Sequence, residues 1–256
     1  FSLLVKMKSL NLLTKKDIKE IKLIVFDVDG VLVKRGTKIK RNGNKLRFEI
    51  KKIAPKQIQQ IKNLRKLGFI INIASGRGLY YLQEMFEEIL PFISLTYENG
   101  SATWYKGKIF QHVNSFSQLK KLKEKLEKIK NKNIKGFEPK EFIITIHCKA
   151  RVRKIEKIVG QHKNIYYIWN SEAYDIGIKK IQTQAIGLKN LIKILKLKKK
   201  NVLALGDNFN DKELLAETGL AISADKTRVG GDFYVPLNGK FLPADLLMQK
   251  IIELKK

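Results

Sequence analysis

From Leu23 to Phe26 the chain is apolar at every position, and the run stops at Asp27. A short continuous run of this kind predicts a parallel strand covered on both faces. The period then changes. Residues 55–67 put Ile58, Ile61, Leu64 and Leu67 on one helical face, with Pro55 suited to a first turn and Gly68 to a stop. Residues 69–74 read as a second buried strand, 79–90 as a helix ended by Pro91, and 93–96 as a third strand. Strand and helix in alternation imply a parallel, doubly wound, Rossmann-like sheet.

Beyond residue 100 the pattern is different. Residues 104–113 suggest a polar hairpin around Lys106-Gly107, and 117–129 an amphipathic helix with Leu119, Leu122, Leu126 and Ile129 in one stripe. Residues 142–148, 165–169 and 174–178 read as strands, with a helix at 152–160. The first pattern resumes with helix 185–197, strand 202–205, helix 212–218 and short strands at 220–222 and 233–235. The expected fold class is therefore α/β: a parallel-sheet core over 21–100 and 181–256, interrupted by a smaller α/β insertion over 101–180. Two features lie outside that scheme. Residues 1–20 form an N-terminal extension, with Thr14 and Asp17 in capping-box positions for a short helix at 14–20. Residues 37–50 carry a hairpin signal at Asn42-Gly43.

Composition changes this picture in one respect. The chain has 256 residues and 44% hydrophobic content, enough for a sizeable core. Lys plus Arg number 52 against 24 Asp plus Glu, a formal charge of +28. Such a field attracts polyanions and steers phosphorylated substrates, so nucleic acid enters as a candidate partner. The lysines are spread from Lys6 to Lys256 rather than gathered, which favours a solvated surface over a nucleic-acid site. No run of 18 apolar residues is present, so no membrane span is expected. The segment Phe1–Val5 is too short for a signal-peptide core. The single cysteine, Cys148, lies in an apolar run and reads as a buried thiol. It excludes an intramolecular disulfide and fits a reducing, cytoplasmic setting.

Candidate chemistry sits where predicted strands end. Asp27-Val28-Asp29-Gly30 follows the first strand, at the edge where open α/β sheets bind ligands. One carboxylate there can attack phosphorus while the other shuttles a proton. The same four residues also suit a calcium loop or an ordinary turn. Ser75-Gly76-Arg77 follows the second strand, and its hydroxyl can serve a phosphoryl oxygen or cap a helix. Gly206-Asp207-Asn208-Phe209-Asn210-Asp211 follows the strand at 202–205. Asp207 can join Asp27 around a hard cation with Asp211 in support, or the segment is a turn and helix cap.

Taken together and in this order, the three motifs resemble those of haloacid dehalogenase (HAD) superfamily phosphatases with a cap inserted after the third strand. The Cof-type and archaeal phosphoglycolate phosphatase groups are similar. Tyr97-Glu98-Asn99-Gly100 matches the segment that precedes the cap in them, while residues 37–50 resemble the flap of capless KDO-8-phosphate phosphatases. The resemblance implies a phosphomonoester hydrolase acting on a sugar phosphate or another small phosphorylated metabolite. It implies Asp27 as nucleophile, Asp29 as acid and base, and Ser75 on the transferring group. It implies Mg2+ on Asp27, Asp207 and the Asp29 backbone carbonyl, with Asp211 nearby. Gly76, Arg77, Asn210 and Gln184 become substrate-binding candidates. A phosphomutase would use the same residues.

One position departs from the family. Its lysine at the start of the helix before the fourth strand falls on Gln184 here, which donates a hydrogen bond but carries no charge. Three arrangements follow. Lys180, or Lys179, supplies the ammonium from the preceding segment. Gln184 serves in a slower enzyme. Or the scaffold binds a polyanion such as RNA without turning it over.

Overall fold

The computed structural model describes residues 7–42, 45–236 and 239–256. Segment 1–5 and the turn at Gly43, both singled out above, lie outside the described residues. In chain order the elements are β1 (Lys8–Ser9), β2 (Leu23–Phe26), β3 (Ile39–Asn42), β4 (Lys45–Phe48), α1 (Pro55–Lys66), β5 (Ile70–Ala74), α2 (Leu79–Met85), β6 (Ile93–Tyr97), β7 (Ala102–Tyr105) and β8 (Lys108–Gln111). They continue with α3 (Phe116–Glu127), β9 (Ile134–Glu138), β10 (Ile144–Cys148), α4 (Arg153–Gly160), β11 (Ile165–Trp169) and β12 (Ala173–Ile178). The chain ends with α5 (Gln184–Ile194), β13 (Val202–Gly206), α6 (Lys212–Ala216), β14 (Leu220–Ser223), β15 (Phe233–Tyr234) and α7 (Pro243–Lys255).

Nine strands form one sheet in the order β1-β15-β14-β13-β2-β5-β6-β7-β8. The pairs from β1 to β6 are parallel, and β7 and β8 add an antiparallel edge. The apolar run of β2 explains its central place. Ile24 and Phe26 belong to the cluster that holds Ile61 and Leu64 of α1 and Leu247 of α7. Leu23 and Val25 belong to the opposite cluster, with Leu188 and Leu191 of α5 and Leu214 of α6. Helices thus cover both faces, as the parallel strands require. The expected α/β, doubly wound core is present.

A second sheet, ordered β11-β12-β10-β9 and antiparallel throughout, carries α3 and α4 on one face. Cys148 is buried in its core, and that burial pushes its thiol up to about 11. The insertion expected over 101–180 is divided between the sheets. Strands β7 and β8 pair with β6 in the large sheet, and the second sheet begins only at β9. Trp104, expected in the insertion, packs against the large core.

The helix expected at 14–20 is absent and those residues form turns. The capping-box contacts do form, since the N–H and hydroxyl of Thr14 both donate to Asp17 Oδ2, at 2.8 and 2.7 Å. No helix follows, because only Ile18 and Ile21 find a core and the chain must then enter β2. The N-terminal extension contributes β1, which pairs with β15 at the sheet edge. Among the described residues no helix is long and apolar enough to cross a membrane.

Candidate active site

Strands β13, β2 and β5 are adjacent and parallel, so their carboxyl ends lie side by side. Asp207, Asp27 and Ser75 follow those three strand ends, and all three are buried. Carboxylate oxygens of Asp27, Asp207 and Asp211 lie within 4.8 Å of one another. Burial, and the charges of Asp211, Asp207 and Asp29, raise the Asp27 carboxyl well above its ordinary range. Burial also lifts Asp207 to about 6, against the pull of Arg35. It lifts Asp211 to about 7, with the charge of Asp207 adding to the shift. Three buried carboxylates this close destabilise one another's ionised forms, and a bound cation relieves exactly that kind of repulsion by supplying charge and hard-acid coordination.

The three carboxylates are not equivalent. Asp211 accepts four hydrogen bonds: the N–H groups of Asp207 and Asn208 at 2.9 and 3.1 Å, and the amides of Gln184 and Asn210 at 2.9 and 3.0 Å. It therefore organises the loop that carries Asp207. Gly30 has φ +89°, and a Cβ there would collide with the Asp207 carboxylate. The glycine of the first motif thus lets two strand-end loops meet, which an ordinary turn does not require.

Asp29 is half-exposed and held as a bidentate partner by Arg77, with Nε to Oδ2 at 2.7 Å and Nη2 to Oδ1 at 2.8 Å. Ser75 Oγ accepts the Arg77 N–H at 3.2 Å. It does not cap α2, whose N-cap is Gly78. Its hydroxyl hydrogen is free to turn toward a ligand.

The second sheet closes the site from above, and strand alternation explains how. In β10, Ile144, Ile146 and Cys148 face the helices, which leaves Thr145 and His147 on the opposite face. In β12, Tyr174 and Ile176 flank Asp175 in the same way. These residues, with Glu138 and Lys140, line one cavity of 110 Å3 together with Asp27, Asp29, Ser75, Gly76, Arg77, Asp207 and Asn210. Lys140 is buried and donates to the Gly76 carbonyl at 2.8 Å and to Thr145 Oγ1 at 2.7 Å. Burial works against ionising Glu138, yet Lys140, His147 and Arg77 outweigh it and hold the carboxyl at about 2.

The segment 97–100 joins this closing unit to the core. Glu98 and Asn99 both adopt left-handed backbone, at φ 47° and 54°. The Glu98 carboxylate accepts the N–H groups of Glu141, Phe142 and Ile143 at 3.0, 2.6 and 3.1 Å. The Asn99 N–H donates to the Ser75 carbonyl at 3.2 Å.

Of the residues singled out from sequence, Asp27, Asp29, Ser75, Gly76, Arg77, Asp207 and Asn210 come together around one cavity. Asp211 and Gln184 lie buried behind it. Lys180 is not brought to the carboxylates. It is exposed, has φ 67°, and lines a neighbouring cavity of 440 Å3 with Lys179, Gln184 and Phe209. Arg35 was not anticipated. Its Nε donates to Asp207 Oδ2 at 2.6 Å and its Nη2 to the Asp207 carbonyl at 3.0 Å. Glu138, Lys140, Thr145, His147 and Asp175 were missed as well. For Thr145, His147 and Asp175 the signal was a polar residue at every second position of apolar strands, legible in residues 144–148; Lys140 lies in the loop after β9 and had none.

Comparison with known proteins fits this geometry. Over residues 24–182, and again over 114–227, the chain matches the family model described as haloacid dehalogenase-like hydrolase. It is 24% identical over 210 residues to phosphoglycolate phosphatase 1 of Saccharolobus solfataricus, spanning 79% of this chain and 82% of that protein. The fold is similar to a HAD-superfamily phosphatase from Bacteroides thetaiotaomicron, with TM-score 0.65 and 16% identity over 91% of this chain and 96% of that one. It is also similar to a HAD subclass IIB sugar phosphatase, with TM-score 0.63 and 16% identity over 90% and 99%. The matched residues take in every strand-end motif described above, and the chain belongs to the haloacid dehalogenase-like hydrolase family.

Proposed function

We propose that the protein hydrolyses small phosphomonoesters through a phosphoaspartyl intermediate on Asp27. The observation that carries this reading is the meeting of Asp27, Asp29, Asp207 and Ser75 around one cavity. A carboxylate oxygen of Asp27 attacks phosphorus, and the P–O bond to the leaving alcohol breaks. Asp29 gives its proton to the departing oxygen. Asp29 then takes a proton from water as the water oxygen bonds to phosphorus, and the Asp27–phosphorus bond breaks to release phosphate. The bidentate Arg77 holds Asp29 in one orientation for both proton transfers. Ser75 and nearby N–H groups supply donors to the phosphoryl oxygens.

The donor set fits Mg2+, since hard carboxylate oxygens of Asp27 and Asp207 gather beside Asp211, which braces the loop; the family resemblance would add the Asp29 backbone carbonyl. Bound there, the cation would offset the repulsion between an anionic nucleophile and an anionic ester. Gln184 is hydrogen-bonded to Asp211 and carries no charge, so positive charge at the phosphoryl group would come from the metal.

The substrate class is a small phosphorylated metabolite. The named relatives point to two kinds of leaving group, a carboxylate-bearing one and a sugar. The test is phosphate release from p-nitrophenyl phosphate with Mg2+ and with a chelator. Wild type is expected to be active only with the metal, and Asp27→Asn to fall by about a thousandfold or more. Lys180→Ala is expected to stay within about twofold of wild type, since Lys180 lies outside the cavity. Retained turnover in Asp27→Asn would remove the nucleophile assignment.

A further inference from the structure

The wall that the second sheet presents to the cavity has a particular charge arrangement. Three side chains in the cavity lining can carry positive charge: Arg77, Lys140 and His147. Each already faces an acid. Arg77 is bidentate on Asp29. Lys140 Nζ lies 3.5 Å from Glu138 and 3.8 Å from Asp175. His147 Nε2 is 2.8 Å from the other oxygen of Glu138. Lys140 also spends two of its three hydrogens on the Gly76 carbonyl and the Thr145 hydroxyl. A carboxylate on the leaving group would therefore meet Glu138 and Asp175 where each nearby cation is already matched to an acid, and like charges brought together in a partly desolvated site are disfavoured.

The same wall suits hydroxyl groups. The Glu138 and Asp175 carboxylates keep lone pairs beyond those used by their neighbours, and carboxylates are acceptors only. The amide nitrogen of Asn170 offers a donor, its oxygen being taken by the N–H groups of Glu172 and Ala173, and Ile168 and Ala173 provide apolar surface for a carbon chain. We infer that this wall is a leaving-group site for a neutral, polyhydroxylated alcohol, and that Glu138 and Asp175 exclude substrates whose leaving group carries a carboxylate. This rests on the phosphomonoesterase reading above. It separates the chain from the phosphoglycolate-type leaving group that one relative's name suggests.

The experiment compares matched substrate pairs in which CH2OH replaces COO−. These are glycerol 3-phosphate against 3-phosphoglycerate, and 2-hydroxyethyl phosphate against 2-phosphoglycolate. p-Nitrophenyl phosphate serves as a common reference. The wild-type protein is expected to show kcat/KM at least about tenfold higher for the alcohol member of each pair. Asp175→Asn removes one charge from the wall and is expected to narrow that ratio by about threefold or more. A ratio near one, or a preference for the acids, overturns the inference while turnover of p-nitrophenyl phosphate leaves the parent reading standing. Loss of p-nitrophenyl phosphate turnover together with all four esters overturns the parent reading and this one with it. A variant that slows both members equally, leaving the ratio unchanged, overturns the role given to Asp175.

Discussion

Single residues in this site are defined by what surrounds them, and Glu138 shows it most plainly. Its carboxyl is held at about 2, below the ordinary 4.5, by Lys140, His147 and Arg77 despite burial. A depressed folded-state value contributes stability above about pH 4.5 and loses it as pH falls toward 2. Over that window wild type is expected to lose on the order of 3 kcal/mol more than Glu138→Gln, read by urea unfolding at each pH. Parallel pH profiles for the two proteins would show that the ion pairs around Glu138 add nothing. At this scale the sequence was legible wherever a residue ends a strand. Asp27, Ser75 and Asp207 each follow an apolar run, and parallel strand order brings them together. Arg35 was not legible. Its contact with Asp207 spans 172 positions, and no local pattern marks a lysine- or arginine-rich segment as reaching a particular acid.

Elements carry the second layer of information. Periodicity located most core strands and helices, because burial on one or two faces writes a repeat into the chain, but it left out α7, and the helix expected over 79–90 ends as α2 at Met85. It failed at 14–20, where a capping box is present without a helix to cap. It also assigned β7 and β8 to the insertion, since an edge hairpin has the same alternation whichever sheet it joins. One join between the two units is the Glu98 side chain, which accepts three consecutive N–H groups from 141–143. Glu98→Ala leaves those donors without an acceptor. The expected cost is on the order of 3 kcal/mol in unfolding free energy, with Glu98→Gln recovering part of it. A change below about 0.5 kcal/mol would show that solvent replaces the carboxylate at no loss.

The whole molecule adds a field. A formal charge of +28 acts on any anionic substrate before contact, and salt screens it over roughly 10 Å at 0.1 M. For a dianionic ester, kcat/KM is expected to fall severalfold between about 0.05 and 0.5 M salt while kcat changes little. Equal insensitivity of both constants would mean the lysines only solvate the surface.

The contact between Lys140 and the Gly76 carbonyl has a consequence for timing. Gly76 belongs to the turn that presents Ser75, while Lys140 follows β9 in the closing unit, so lid and phosphate cradle share a hydrogen bond. A motion that lifted the second sheet off the core would break that bond and loosen the cradle as it went. Letting product out and relaxing the grip on phosphate would then be one event, with the rate of opening as a ceiling on turnover.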